Sequence, residues 1–174
     1  MKSVCPTRRS SGTPQKRGAP QLYVRHHEPH HSTMNINLLL LTGAALSAIA
    51  AVLHIGIVIG GPSWYRFFGA GEEFAVAAEK KKVWPHVITL GIAAVLFAWT
   101  AYALSGAGVI EPLPYAAAVL VAIAAIYTLR GAALIPLLLF ARDRATPFLI
   151  WSSVICLVYG AVHIGGIVQV WSRL

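Results

Sequence analysis

The sequence predicts an all-α integral membrane protein, a four-helix bundle with a disordered N-terminal tail. Of the 174 residues, 57% are hydrophobic and only 11% are charged, whereas a soluble domain averages about 25% charged residues. The apolar residues form four long runs, and most of the connections between them are short. This composition favours lipid as the solvent of most of the chain.

Residues 1–33 form a basic tail whose composition differs from that of the rest. The tail lacks apolar periodicity and is rich in proline, glycine, serine and arginine, which predicts disorder. A sequence typical of membrane proteins begins abruptly at Met34. We therefore interpret Met34 as the true start and residues 1–33 as an extension of the gene model. Native protein with an intact mass counted from Met1 would contradict this interpretation.

The region 34–174 contains four predicted transmembrane helices. Each apolar run is near the roughly 20 residues that cross a hydrocarbon core. The runs are rich in Ala, Leu and Gly, which suits helices, because helices satisfy their backbone hydrogen bonds internally, as lipid requires. The predicted spans are residues 36–59, 87–104, 115–140 and 148–170.

The first connection, residues 61–86, is long and mixes aromatic with charged residues. Gly61-Pro62 is expected to end the first span, and Glu72 to Lys82 is expected to form a helix in the membrane interface. Lys80 to Lys82 would meet lipid phosphates. The loop aromatics are typical of anchors at head-group depth: Trp64, Tyr65, Phe67, Phe68 and Trp84.

The orientation predicted by positive charges depends on the start. Loop 61–86 has four Lys or Arg residues, loop 141–147 has two, and loop 105–114 has none. With residues 1–33 included, the side of the membrane that holds the termini has seven Lys or Arg residues and the opposite side has six. Counted from Met34, the side of the termini has one and the opposite side has six. Because basic loops stay in the cytoplasm, the second count places both termini outside, in the periplasm.

Small and polar residues recur at helical spacing on the first and last spans. Ser47 lies on such a stripe in the first span, and Tyr159 and His163 lie on the stripe of the last. Small residues allow helices to approach closely in lipid, and polar groups on the same face bond across the interface. These stripes are therefore expected to face the bundle centre.

Arg130 is the strongest single candidate for a ligand-binding residue. It lies near the middle of the third span, with Tyr127 one turn earlier and Pro136 six residues later, where a kink is expected. An arginine at that depth costs at least about 2.5–3.5 kcal/mol, so it should face the interior or a cavity. One interpretation is that Arg130 binds an anion, a lipid head group or a quinone-like carbonyl. The other is a structural clamp bonded to backbone carbonyls or to a loop carboxylate.

Helix directions group further residues near Arg130. The third span runs toward the basic-loop side, so Arg130 lies in the same half as His54. Loop residues near that side are Glu72, Glu73 and His86. We therefore hypothesise one polar vestibule in which a loop carboxylate neutralises Arg130. A normal level, fold and phenotype in an Arg130→Leu variant would contradict it.

Histidine pairs can ligate haem, and His54 and His163 both lie inside spans. The two spans run in opposite directions, which separates the rings by roughly 15 Å along the membrane normal at about 1.5 Å per residue. Interhelical hydrogen bonding is therefore the favoured interpretation. We expect no cofactor, no catalytic residue and no metal site, although four histidines flank Glu28 in the tail.

The region from Met34 onward resembles small, uncharacterised four-helix inner-membrane proteins of bacteria, DoxX-like in general layout. The resemblance rests on four spans, short loops and the string GPSWYRFFGAGEEFA, and it implies a bacterial inner-membrane location but no activity. Lipid, a second copy or another membrane protein are the expected partners, and nucleic acid is not. The expected function is a non-enzymatic accessory or assembly subunit. The alternatives are a small-molecule transporter or channel component, and a quinone- or haem-binding redox protein.

Overall fold

The computed structural model describes residues 36–173. The predicted disordered tail lies outside this range, as do the histidines around Glu28. Within it the chain is helical, with 3-10 turns at Arg142–Arg144 and Trp171–Arg173. The α-helices of this range are α1 (Leu38–Gly60), α2 (Pro62–Phe67), α3 (Glu72–Glu79), α4 (Trp84–Gly106), α5 (Ala116–Ala132), α6 (Leu134–Phe140) and α7 (Pro147–Val170).

The predicted integral membrane four-helix bundle is confirmed. Among residues 36–173, four helical segments are long and apolar enough to cross a membrane. Aliphatic side chains on their outer faces are exposed, as expected of surfaces that meet lipid. The segments are Leu38–Gly60, Trp84–Gly106, Ala116–Phe140 and Pro147–Arg173.

Capping residues and prolines account for the helix starts. The side chains of Asn37 and Thr146 each accept a hydrogen bond from a backbone N–H in the first turn of the following helix. Helix α4 begins at Trp84 and not at the predicted residue 87. The reason is that Pro85 occupies the first turn, where a missing N–H costs no hydrogen bond.

The third span is divided into α5 and α6 at Ala133. Pro136 has no N–H to donate to the carbonyl of Ala132, which accounts for the interruption of the helix near the predicted kink. Helix α6 has no buried residue. The predicted span 115–140 is therefore one membrane-crossing segment with a packed first part and an exposed second part.

The four long segments form two antiparallel pairs. Helix α1 packs along α4, and α5 packs along α7, as short loops between consecutive spans require. The pairs then join through contacts of α1 with α7 and of α4 with α5. The order around the bundle is therefore α1, α4, α5, α7.

Hydrogen bonds of Asn37 define one end of the bundle, here called the terminal end. Its backbone N–H donates to the carbonyl of Ala107 at 3.0 Å, and its Nδ2 donates to Oε1 of Gln169 at 2.8 Å. At the opposite end, called the loop end, Gly69 contacts the ring of Phe148. The α4–α5 connection and both described ends of the chain therefore lie opposite α2 and α3.

Glycines set the closest helix approaches. A Cβ at Gly160 of α7 would collide with Oγ1 of Thr128 on α5 and lie 3.1 Å from that residue's backbone nitrogen. A Cβ at Gly43 of α1 would lie 2.8 Å from the ring of His163 on α7. The predicted small and polar stripes therefore face the bundle interior.

The segment between α1 and α4 contains the two short helices α2 and α3. Helix α1 ends at Gly60, and Gly61 reverses the chain with φ at 67°, as predicted from Gly61-Pro62. The predicted helix from Glu72 to Lys82 is shorter, because α3 ends at Glu79. Both short helices pack against the loop end of the bundle.

Two aromatic residues of this segment are used inside the protein. Tyr65 was predicted to be an anchor in the membrane interface, and that prediction is wrong. Its side chain is fully buried, and its hydroxyl lies 3.1 Å from Nδ1 of His86. Trp64 packs on Gly56 and Gly60. This GxxxG pair therefore receives a side chain of the same chain.

Replacing Gly160 with alanine tests the close approach of α5 and α7. We expect Gly160→Ala to lower the free energy of unfolding by about 1–3 kcal/mol, because the Thr128 backbone cannot move aside as a flexible side chain would. Gly91→Ala is the matched control, because a Cβ there meets nothing within 4 Å. Reversible unfolding in detergent measures both variants, and an equal effect would contradict the proposed contact.

Candidate functional site

A cavity of about 530 Å³ lies between the four long segments, toward the loop end. This volume is within the range of about 300–1,000 Å³ that is usual for small-molecule sites. Its walls are mainly aliphatic and aromatic side chains, so an apolar body would be its natural occupant. The aliphatic lining includes Leu53 and Ile57 of α1, Ile92 and Leu96 of α4, Ile126 of α5 and Ile155 of α7.

Aromatic rings close the cavity at two levels. Toward the terminal end lies an aromatic layer of Trp99, Tyr127 and Tyr159, with ring centroids 5.1 and 5.2 Å from that of Tyr127. Toward the loop end lies a phenylalanine plug of Phe68 and Phe148, edge to face at 6.4 Å. The glycine at position 69 leaves room for the plug.

The cavity also has a lateral mouth. Trp151 and Ile126 line it, yet 68% and 49% of their surfaces are exposed. Ile126 lies close to the middle of the span Ala116–Phe140. The mouth is therefore at the depth of the hydrocarbon core, where an apolar molecule dissolved in the bilayer can reach it.

Arg130 is the charged group among the residues that line this cavity. Its Nη1 donates to Oγ of Ser153 at 3.4 Å, which is longer than the usual 2.7–3.2 Å for N–H···O. Within residues 36–173, Arg130 forms no salt bridge and no recorded hydrogen bond to a backbone carbonyl. Its location in the last turn of α5 places it near the negative end of the helix dipole, which offsets the charge only in part.

His54 lies on the α1 wall of the same cavity. Its Nδ1 lies 2.7 Å from the carbonyl oxygen of Ala50. A carbonyl only accepts, so Nδ1 carries a hydrogen and donates it to that oxygen. Nε2 is therefore the ring nitrogen left for a ligand.

Tyr127 connects the cavity to a buried polar cluster beyond the aromatic layer. Its hydroxyl lies 3.0 Å from Oγ of Ser47, and its ring centroid lies 5.4 Å from that of His163. His163 is fully buried, and its Nδ1 donates to the carbonyl of Tyr159 at 2.8 Å. Among the described residues its Nε2 is buried without a hydrogen-bond partner.

The two intramembrane histidines are at different depths. His163 packs against Gly43, eleven residues before His54 on α1. At 1.5 Å per residue the two levels are about 16 Å apart. This agrees with the separation inferred from helix directions and is too large for two ligands of one haem.

The loop carboxylates bind a different arginine. Arg66 donates to Glu72 and to Glu79, with shortest distances of 2.7 Å in both cases. The hydrogen bond with Arg66 holds the pKa of Glu72 below its ordinary value, and the positive charge of Arg66 acts in the same direction. Glu72 therefore does not neutralise Arg130, because its carboxylate forms a salt bridge with Arg66, one short loop away.

The structure brings together part of the hypothesised vestibule. His54, Tyr127 and Arg130 line one cavity, whereas Glu72, Glu73 and His86 do not line it. Glu73 lines a shallow groove beside Lys80 and Trp84. His86 bonds the buried Tyr65, as described above, because α4 begins early enough to place it inside the first turn.

Several residues of the site carry no sequence signal. Ser153 of α7 contacts Arg130 of α5 only because the two helices pack against each other. Nothing in the local sequence around Ser153 indicates this contact. The plug residues Phe68 and Phe148 are far apart in the chain. Arg66 precedes Glu72 by six residues, a spacing at which neither a single helix nor a single strand brings two side chains into contact.

Between residues 36 and 173, no group of three or more His, Cys, Asp or Glu side chains is arranged as a metal site would require. Comparison of the chain with protein-family models, curated proteins and solved structures finds no match.

The Arg66–Glu72 pair predicts a local dependence on pH. Because the folded-state pKa of Glu72 is lowered, its contribution to stability is present above the unfolded value of about 4.3 and is lost as the pH falls through the folded value. We expect faster amide hydrogen exchange in α2 and α3 once the pH is below the folded-state pKa of Glu72. Since the pair is exposed, global unfolding should change little.

Glu72→Gln should abolish this pH dependence in hydrogen exchange measured by mass spectrometry. Glu73→Gln is the matched control, since Glu73 forms no salt bridge within the described range. Equal exchange in both variants at every pH would contradict a structural role of the pair.

Proposed function

We propose that this protein binds an amphipathic small molecule within the membrane, in the cavity between its four spans. The observation that carries the proposal is Arg130, an exposed cation on the wall of a mainly apolar cavity, which has no carboxylate partner among residues 36–173. Donors left without acceptors in such surroundings are costly. A ligand with an oxygen-bearing head group supplies the missing acceptors.

The rest of the cavity suits the apolar body of such a ligand. The aliphatic walls offer no hydrogen bonds, and the lateral mouth gives access from the hydrocarbon core. Polar groups elsewhere on the lining are few, which is usual for sites that fix the orientation of a ligand with a small number of contacts. They are His54, Tyr127, Ser152, Cys156 and Tyr159.

We also propose that the protein is a multi-pass protein of a bacterial inner membrane and, if the chain starts at Met34, that its loop end is in the cytoplasm. Arg66, Lys80, Lys81 and Lys82 belong to the segment at the loop end, whereas Arg173 lies at the terminal end. For a chain counted from Met34, the positive-inside rule favours a periplasmic location of the described ends of the chain.

A reporter fused after Leu174 tests this orientation. Alkaline phosphatase at that position is expected to be active, because the fusion point would be periplasmic, and a fluorescent protein folded only in the cytoplasm is expected to be dark. The same reporters inserted after Lys81 should give the opposite pattern. The reverse result at both positions would contradict the proposed topology.

Blocking the cavity tests the proposed binding. We expect wild-type protein purified in mild detergent to retain a small molecule, detected by native mass spectrometry. Cys156→Trp should lose it, because the indole would fill the cavity. Val158→Trp is the matched control, because Val158 is on the same helix, 51% exposed, and does not line the cavity.

The same sample separates the alternatives. Equal small-molecule content in both variants, or none in the wild type, would contradict binding in the cavity. A stoichiometric second polypeptide without a small molecule would favour an accessory or assembly role. A haem absorption band would favour a redox protein.

A further inference from the structure

We infer that the ligand carries an anionic head group, a carboxylate or a phosphate, which pairs with the guanidinium of Arg130. The inference rests on the proposed binding function and specifies its ligand class. It excludes neutral amphiphiles, such as alcohols, as the preferred occupants of the cavity.

Charge is the first step of the argument. No carboxylate of the described range forms a salt bridge with Arg130, and none lines its cavity. Glu72 and Glu79 both pair with Arg66 at 2.7 Å, and Glu73 lines a different groove. The cavity therefore keeps a net positive charge on its lining, and a neutral ligand would leave that charge uncompensated.

Hydrogen-bonding capacity is the second step. A guanidinium offers five N–H donors in a planar fork, and the contact with Ser153 at 3.4 Å occupies Nη1 only weakly. Carboxylate and phosphate oxygens match that fork with two parallel hydrogen bonds, which a single hydroxyl or carbonyl oxygen cannot form.

The remaining walls do not oppose an anion. His54 lies on α1, and its ring bonds the carbonyl of Ala50 and adds no negative charge. Tyr127 directs its hydroxyl to Ser47 and presents its ring to the cavity. Phe68 and Phe148 form the wall of the cavity toward the loop end and add no charge to it.

The dimensions favour one apolar chain or a body of similar width. The aromatic layer and the phenylalanine plug close the cavity along the bundle axis, and the mouth beside Trp151 is lateral. A chain attached to a head group at Arg130 would therefore lie across the bundle or extend through the mouth into lipid.

The test compares ligands that differ only in the head group. The full chain is placed in nanodiscs of zwitterionic lipid, and equilibrium binding of palmitate, hexadecyl phosphate and hexadecanol is measured at pH 8. We expect a Kd for palmitate at least about tenfold lower than that for hexadecanol. Tight binding of palmitate alone identifies a carboxylate, and tight binding of both anions identifies the shared charge as the recognised feature.

Variants of Arg130 locate the effect. Arg130→Gln should weaken palmitate binding to the level of hexadecanol while leaving hexadecanol unchanged, and Arg130→Lys should be intermediate, since an ammonium keeps the charge but not the fork. Arg142→Gln is the matched control, because Arg142 lies in the turn before α7 and does not line the cavity. It should bind palmitate as the wild type does.

The outcomes separate the inference from the function on which it rests. Equal affinities for palmitate and hexadecanol, unchanged by Arg130→Gln, would overturn the anionic head group and leave cavity binding intact. Failure of every amphiphile to bind would overturn both. If Arg130→Gln does not fold, the ligand series on the wild-type protein decides by itself.

Discussion

The close approach of the two helix pairs near the terminal end is the constraint on which the other features depend. In lipid no hydrophobic effect draws helices together, so contact requires small residues and polar partners. Gly43 admits the ring of His163, and Ser47 and Tyr127 bond each other across the two pairs. These contacts hold α1 against α7 and α5. The cavity lies on the loop-end side of them.

Toward the loop end, a cavity lies between the two pairs. It is bounded by the aromatic layer and the phenylalanine plug. Arg130 lies in this space because Gly131 packs against the backbone of Ser153 and fixes α5 on α7. The cost of holding a cation there is not offset by a carboxylate within the described range, which is the physical reason for expecting a ligand.

Charge pairing at the loop end shows where reasoning from sequence failed. Helix directions correctly placed Arg130 in the half that contains His54, because depth follows from position along each span. Helix directions could not show whether Glu72 would pair with Arg66 or with Arg130. Arg66 takes Glu72 because α2 and α3 fold against each other, which brings the two side chains together without desolvating either of them.

The spans, the stripes of small and polar residues and the kink near Pro136 could all be inferred from composition and spacing. The reason is that lipid imposes length and apolarity on each helix separately. The helix pairing, the buried orientation of Tyr65 and the meeting of Phe68 with Phe148 depend on contacts between distant residues. No local pattern encodes such contacts, since they result from how complete helices fit together, and the cavity exists only once those helices have packed.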